Sequence, residues 1–297
     1  MDPMNRRNFI RTTAATTLVL SQSSPLMAAL AADDTYRKNI GIQLYTLRDS
    51  ISKDTAGTLK QVAAAGYKQV EPYGFPGADE MIKAAKDAGL AVRSTHFQWD
   101  SVVNPKDAAM SDFSKILEKA HEAGLSHLVI PYLQDGNRKT LDDYKKVAEN
   151  ANKAAALAKK AGIQLAYHNH NFEFGPKEGG KSGYDIFIEE FSSEMKFEID
   201  VFWVKVAGAD PAALITKLKG RVSQLHLKDL KADVKTPNFG SPIPNDAFQA
   251  LGEGVIPMEP ILAAAKAAGV EHCHVEQDQS PDPIASVGRS VKYLEKL

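Results

Sequence analysis

Ala161-Gly162-Ile163-Gln164-Leu165-Ala166-Tyr167 follows an Ala/Lys-rich stretch of helical periodicity over residues 142–160. The combination reads as a helix end, a cap and a buried strand. The residue that closes a helix adopts a left-handed conformation that a Cβ penalises, so glycine takes it. The short apolar run after it has the length of a strand. The same punctuation recurs at Ala65-Gly66-Tyr67, Ala88-Gly89-Leu90, Ala123-Gly124-Leu125 and Ala268-Gly269-Val270, with Lys219-Gly220-Arg221 a looser copy. The runs that follow predict strands over 68–70, 91–97, 127–130, 164–167, 222–227 and 272–275, and 40–45 and 196–201 complete a set of eight. Helical stretches lie between them, the last over 283–297. Eight alternating units point to an α/β fold, a (β/α)8 TIM barrel, as a single domain over residues 36–297. No Gly-x-Gly-x-x-Gly follows the first strand, which weighs against a dinucleotide-binding sheet. Residues 238–257, rich in Gly, Pro and Asn, are expected to lie over the barrel mouth.

Composition narrows the function. The 297 residues carry 36 Lys+Arg against 37 Asp+Glu, a balance unsuited to gripping phosphate backbones. The single cysteine, Cys273, excludes a disulfide framework and any CxxC metal site. At the N-terminus, Asn5-Arg6-Arg7-Asn8-Phe9-Ile10-Arg11 resembles a twin-arginine export signal, with a mildly apolar stretch and Ala29-Leu30-Ala31 behind it. Residues 1–31 are therefore expected to be a signal peptide and the mature protein periplasmic, with a net charge of −3 once three arginines and one aspartate are removed. No segment has the apolar length of a membrane span.

In a barrel of this kind chemistry collects at the C-terminal strand ends. Six of the eight expected strands deliver an ionisable group there: Glu71, His96, His168 with His170, Asp200, His226 with Lys228, and Glu276. Imidazoles and carboxylates converging from different strands are what a divalent cation needs. His168, Asp200, His226 and Glu276 are the expected ligands, an N2O2 set that favours Mn, Co, Ni or Zn over Mg or Ca. His272 and His274 share the face of Glu276 by the strand period of two and are alternative ligands.

The chain resembles the sugar phosphate isomerase/epimerase superfamily, the xylose isomerase-like barrels. The segments that carry the likeness are Asn39-Ile40-Gly41-Ile42-Gln43-Leu44-Tyr45, Val70-Glu71-Pro72-Tyr73-Gly74, the His168 strand, Phe197-Glu198-Ile199-Asp200, Gln224-Leu225-His226-Leu227-Lys228-Asp229 and Leu251-Gly252-Glu253-Gly254. In the epimerases of that family the resemblance implies a metal held by Glu, Asp, His and Glu. Asp200, His226 and Glu276 match, and His168 stands where the first Glu would be. Two metal-bound glutamates serve the two faces of the substrate there, so this departure argues against symmetrical epimerisation. The Tyr-His-Asn-His-x-x-Glu-Phe pattern at 167–174 is similar to exported relatives that act on 3-keto-glycosides, and it offers Glu173 as a substitute base at the mouth.

The chemistry expected is metal-assisted proton transfer next to a carbonyl on a keto-sugar or 3-keto-glycoside, ending in isomerisation, epimerisation or β-elimination. Glu173, Glu276 and His170 are the expected proton carriers and Lys228 the oxyanion partner, while Glu71, His96, Tyr45 and Trp203 are expected to contact substrate. Partners are a small carbohydrate and a second copy of the chain, not nucleic acid. A non-catalytic carbohydrate-binding barrel is the alternative, and an endonuclease IV-like nuclease the third reading, opposed by the net charge.

Overall fold

A computed structural model describes residues 39–240 and 242–297. The expected signal peptide, residues 1–31, lies outside them. The strands are β1 (Gly41–Gln43), β2 (Gln69–Glu71), β3 in two pieces (Ala91–Val92 and Ser94–His96), β4 (His127–Ile130), β5 (Gln164–His168), β6 (Met195–Asp200), β7 (Val222–Leu227) and β8 (His272–Val275). All pair in parallel with their sequence neighbours, and β8 returns to β1 with Gly41 opposite His274. The first piece of β3 pairs with β2 (Gln69 opposite Ala91) and the second with β4 (Ser94 opposite His127), so the ring closes through Arg93. Beyond Arg93 the seam continues, with His96 N–H donating to Pro72 O at 3.0 Å and Phe75 N–H to His96 O at 3.1 Å.

β2, β5 and β6 depart from expectation by a residue at an end, and β1 and β3 by more. β1 ends at Gln43 because the Gln43 side chain accepts from Tyr45 N–H at 3.1 Å and starts a 3-10 turn, Leu44–Leu47. β3 breaks because the Arg93 carbonyl takes N–H groups from both Ser126 and His127 (2.8 and 3.0 Å), which a regular ladder does not allow.

The outer layer comprises α1 (Thr55–Ala65), α2 (Asp79–Asp87), α3 (Ser111–Ala123), α4 (Leu141–Lys160), α5 (Gly183–Glu190), α6 (Pro211–Lys217), α7 (Met258–Ala268) and α8 (Pro283–Leu294). α4 starts with a reciprocal capping box between Thr140 and Asp143. Past its end Gly162 has φ +74°, and the other five punctuating glycines are left-handed too. None of the described helices is long and apolar enough to cross a membrane.

The apolar core lies between strands and helices, for example where Tyr167, Phe187, Phe191 and Phe197 pack ring on ring. The barrel interior is different. Its strands turn Glu71, Ser94, His168, Glu198, Gln224, His226 and His274 inward, all buried, where such a barrel is ordinarily filled with branched aliphatics. That interior supports the site.

Above β7 the chain is strapped down by one carboxylate. Asp229 accepts from the N–H groups of Leu230, Gly252, Gly254 and Ile256 at 2.9–3.0 Å. A Cβ on Gly254 would lie 2.3 Å from Asp229 Oδ1 and 2.5 Å from Leu230 O, so only glycine fits. Gly252-Glu253-Gly254 is thus an internal clamp whose N–H groups are already used, not a phosphate cradle. The clamp fixes a ribbon pairing Asp229–Leu230 with Phe248–Gln249, and the loop between them brings Pro242, Ile243 and Asn245 over the mouth beside Phe248.

Candidate active site

Alternation along β6, β7 and β8 stacks polar side chains in two layers inside the barrel. Glu198 lies below Asp200, Gln224 below His226, and His274 below Glu276. In the lower layer one oxygen, Glu198 Oε2, meets three imidazoles: His96 Nε2 at 2.9 Å, His168 Nδ1 at 3.0 Å and His226 Nε2 at 3.2 Å. Gln224 donates to its other oxygen at 2.7 Å. Glu71 accepts from Gln43 at 3.0 Å and from Ser94, and meets His226 Nε2 at 2.7 Å.

The upper layer surrounds an ammonium. Lys228 Nζ lies 3.0 Å from Asp200 Oδ2, 2.8 Å from Glu276 Oε2 and 2.6 Å from Asp278 Oδ1. His226 joins the layers, since its Nδ1 faces Glu276 Oε2 at 2.7 Å while Nε2 faces Glu71 and Glu198. Burial would lower the His226 pKa, but Glu198 and Glu276 outweigh it and hold the imidazole protonated well above its usual range. Burial would likewise raise Glu198 and Glu276. The His226 charge and imidazole hydrogen bonds hold Glu198 well below the carboxylate range, and Lys228 with His226 does so for Glu276. Asp200 moves the other way, to about 6, because burial exceeds the help of Lys228 and His226.

These residues fit a divalent cation. Five carboxylates, Glu71, Glu198, Asp200, Glu276 and Asp278, gather around two groups held as cations, Lys228 and His226, so acids outnumber cations in a largely buried space. Asp200 Oδ2 is buried and makes no hydrogen bond, since the nearby ammonium is poorly aligned with it. One donor atom each from His168, Asp200, His226 and Glu276 lies within 4.8 Å of the others, so the four expected ligands stand together. Two further groups of the same kind, His96/His168/Glu198/His226 and Glu71/Glu198/His226/His274, overlap this one from below. The bonds of His226 Nε2 to the lower carboxylates would leave Nδ1 to ligate such a cation, the usual role of a carboxylate behind a metal-bound histidine.

The layer opens into a cavity of about 640 Å³ lined by Tyr45, Trp99, Tyr132, Trp203 and Phe248. His96, His168, His170, Lys228, Glu276 and Asp278 also face it. Tyr45 is 43% exposed at the rim. His170 is kept neutral, its pKa pushed well below the usual value by burial and by His168 and Lys228.

Two expected contacts lie elsewhere. Glu71 is fully buried inside the barrel, where it meets His226 at 2.7 Å, and is not among the residues lining this cavity. Glu173 is also fully buried and lines no part of this cavity. The turn Phe172–Phe174 folds back, so that Glu173 accepts from Tyr167 O–H at 2.6 Å and His170 N–H at 2.9 Å. It therefore holds His170 in place and is not a base at the mouth. Burial raises the Glu173 pKa from 4.5 to about 7 against those hydrogen bonds. The folded state then binds a proton that the unfolded chain has released, so this group's contribution to stability is complete below pH 4.5 and is lost as the pH rises to 7. In urea unfolding, wild type is expected to lose roughly 3 kcal/mol between pH 4.5 and 7.5 relative to Glu173→Gln, while parallel curves would contradict this.

Sequence reasoning did not choose Glu198, Gln224 or Asp278. The signal was present: each lies two residues from a chosen residue, Asp200, His226 or Glu276, and so on the same face or its continuation.

The model of the xylose isomerase-like TIM barrel family matches residues 59–297. The chain belongs to that family. It is 23% identical over 264 residues to an inosose dehydratase of Clostridium beijerinckii, covering 80% of this chain and 88% of that one. Among solved structures, a sugar phosphate isomerase/epimerase from Parabacteroides distasonis superposes with a TM-score of 0.69 at 26% identity, over 87% of this chain and 98% of that one. A 3-keto-D-glucoside 4-epimerase from E. coli gives a TM-score of 0.64 at 15% identity, over 87% and 99%, a likeness of fold. The relatives are enzymes, and this xylose isomerase-like barrel is an enzyme.

Proposed function

We propose that this barrel is a periplasmic, divalent-metal-dependent lyase that takes a proton from the carbon next to the ketone of a 3-keto-glycoside and eliminates the group at C1. The observation that carries the reading is the crowding of Asp200, Glu276 and Asp278 around Lys228 at the floor of an aromatic-walled cavity. His168, Asp200, His226 and Glu276 would hold the metal, which when bound polarises the ketone oxygen.

The chain's own residues supply the rest. Glu276, kept ionised by Lys228 and His226, accepts the C2 proton. The electron pair moves to the C3 oxygen as an enolate, which the buried Lys228 ammonium stabilises. When the ketone re-forms, a C1–C2 double bond appears, the C1–O bond breaks, and the departing oxygen takes up a proton. Elimination is favoured over epimerisation because His168 replaces the carboxylate a second substrate face would need. The relatives include an inosose dehydratase, and a dehydratase removes water. The Asn5–Arg11 stretch supports export, and the small cavity supports a carbohydrate substrate.

Incubating Mn- or Co-loaded protein with 3-keto-glucosides and with free ketoses tests the reaction. Release of the aglycone with an unsaturated keto-sugar is expected, whereas inertness toward both classes would overturn the proposal.

A further inference from the structure

A second, larger cavity of about 1020 Å³ adjoins the first. Tyr132, His170, Trp203 and Ile243 line both, so one wall separates and joins them. Together they exceed the 300–1,000 Å³ of a single small-ligand site. Their electrostatics are opposite. The inner cavity ends on carboxylates, while the outer one is lined by Arg138, Lys139 and Lys177 against one acid, Asp135. The Asp135 side chain is 85% exposed and that of Arg138 only 16%, so solvent screens the acid more than the guanidinium it pairs with.

Arg138 is also held in a fixed position. It donates to Tyr132 O–H at 3.0 Å and through Nε to Asp135 at 3.0 Å, and its guanidinium carbon lies 3.6 Å from the centre of the Phe172 ring. Phe172 in turn stacks on His170 at a ring spacing of 5.4 Å, and Tyr132 meets both rings edge-on at 5.1 and 5.4 Å. Lys177 donates to Lys139 O at 3.3 Å, and Phe239 adds a further ring to the lining. A chamber of ring faces with surplus fixed cations suits a flat, negatively charged group.

We infer that the outer cavity is a subsite for the leaving half of the substrate, and that it takes an acidic aromatic aglycone carrying a carboxylate. This rests on the proposed reaction for its place in catalysis, with the keto-sugar ring in the inner cavity and the scissile C1–O bond at the shared wall. Arg138 and Lys177 are the residues that select the anion.

The test compares the 3-keto-glucosides of 4-hydroxybenzoate and of phenol on the metal-loaded enzyme, with calorimetric binding of free 4-hydroxybenzoate measured separately. The carboxylated substrate is expected to have a kcat/KM at least about tenfold higher, expressed mainly in KM, as one charge-assisted contact allows. Arg138→Gln and Lys177→Ala are each expected to bring the ratio close to one and to weaken 4-hydroxybenzoate binding about tenfold. Using two variants guards against one that disturbs the loop. A wild-type ratio near one, or a ratio unchanged in both variants, would overturn the subsite while turnover of the phenyl compound left the reaction standing. Tight 4-hydroxybenzoate binding that both variants abolish, with neither glycoside consumed, would support the subsite and overturn the reaction instead.

Discussion

His226→Ala is expected to abolish binding of the proposed metal and to lower kcat/KM by about 10³-fold or more. The magnitude follows from the chemistry assigned to the site: Lewis-acid polarisation of a ketone is worth several kcal/mol, and each 1.4 kcal/mol is a factor of ten. His226 is the residue on which both layers converge, with Nδ1 on Glu276 at 2.7 Å and Nε2 on Glu71 at 2.7 Å and Glu198 at 3.2 Å. Its loss removes a ligand and also frees Glu276, the proposed base, from one of the two cations that keep it ionised. Metal content and steady-state kinetics check this together. A variant that keeps one metal per chain and near wild-type kcat/KM would show that His226 is only structural.

Glu198→Ala is expected to be the most destabilising single change in the barrel interior, costing about 3–5 kcal/mol. Three imidazoles and the Gln224 amide meet this one carboxylate, which is fully buried. Removing it leaves the protonated His226 short of a counter-charge and His168 without the acceptor that orients its ring. For a domain of this size the melting temperature is expected to fall by roughly 6–20 °C. Metal affinity is expected to fall by about 10–100-fold, because the carboxylate behind His168 and His226 fixes their orientation. Glu198→Gln, which keeps the shape, is expected to lose less stability. Scanning calorimetry with and without metal reads both effects, and an unchanged melting temperature would contradict the assigned role.

The repeated glycine punctuation was enough to place β4, β7 and β8 at their observed bounds, because each is a short apolar run set off by a helix-ending glycine. Where β1 and β3 depart from expectation, the cause is a long-range contact. Gln43 is held by Glu71, 28 positions away, and the Arg93 carbonyl is taken by residues of the next strand. No local pattern carries those.

The rim residues His168, Asp200, His226, Lys228 and Glu276 were legible because strand direction in such a barrel decides where chemistry sits. Glu198 was harder to choose, since the same fold ordinarily fills its interior with aliphatic side chains, and a carboxylate inside a strand does not announce four partners from three other strands. Glu173 shows the opposite failure. Its position just past β5 suggests the mouth, yet the Tyr167 hydroxyl and the His170 amide draw it beneath the turn. The outer cavity was invisible in the sequence, because Arg138, Phe172, Lys177 and Phe239 belong to three separate loops.

In the proposed reaction one divalent cation, held by the β5–β8 rim, is required for turnover. The direct measurement is to remove metal with a chelator, add Mn or Co back in sub-stoichiometric steps, and follow aglycone release from a 3-keto-glucoside. Negligible activity is expected in the stripped protein, with a linear return that saturates at one equivalent per chain. Undiminished activity in protein holding less than about a tenth of an equivalent would contradict it.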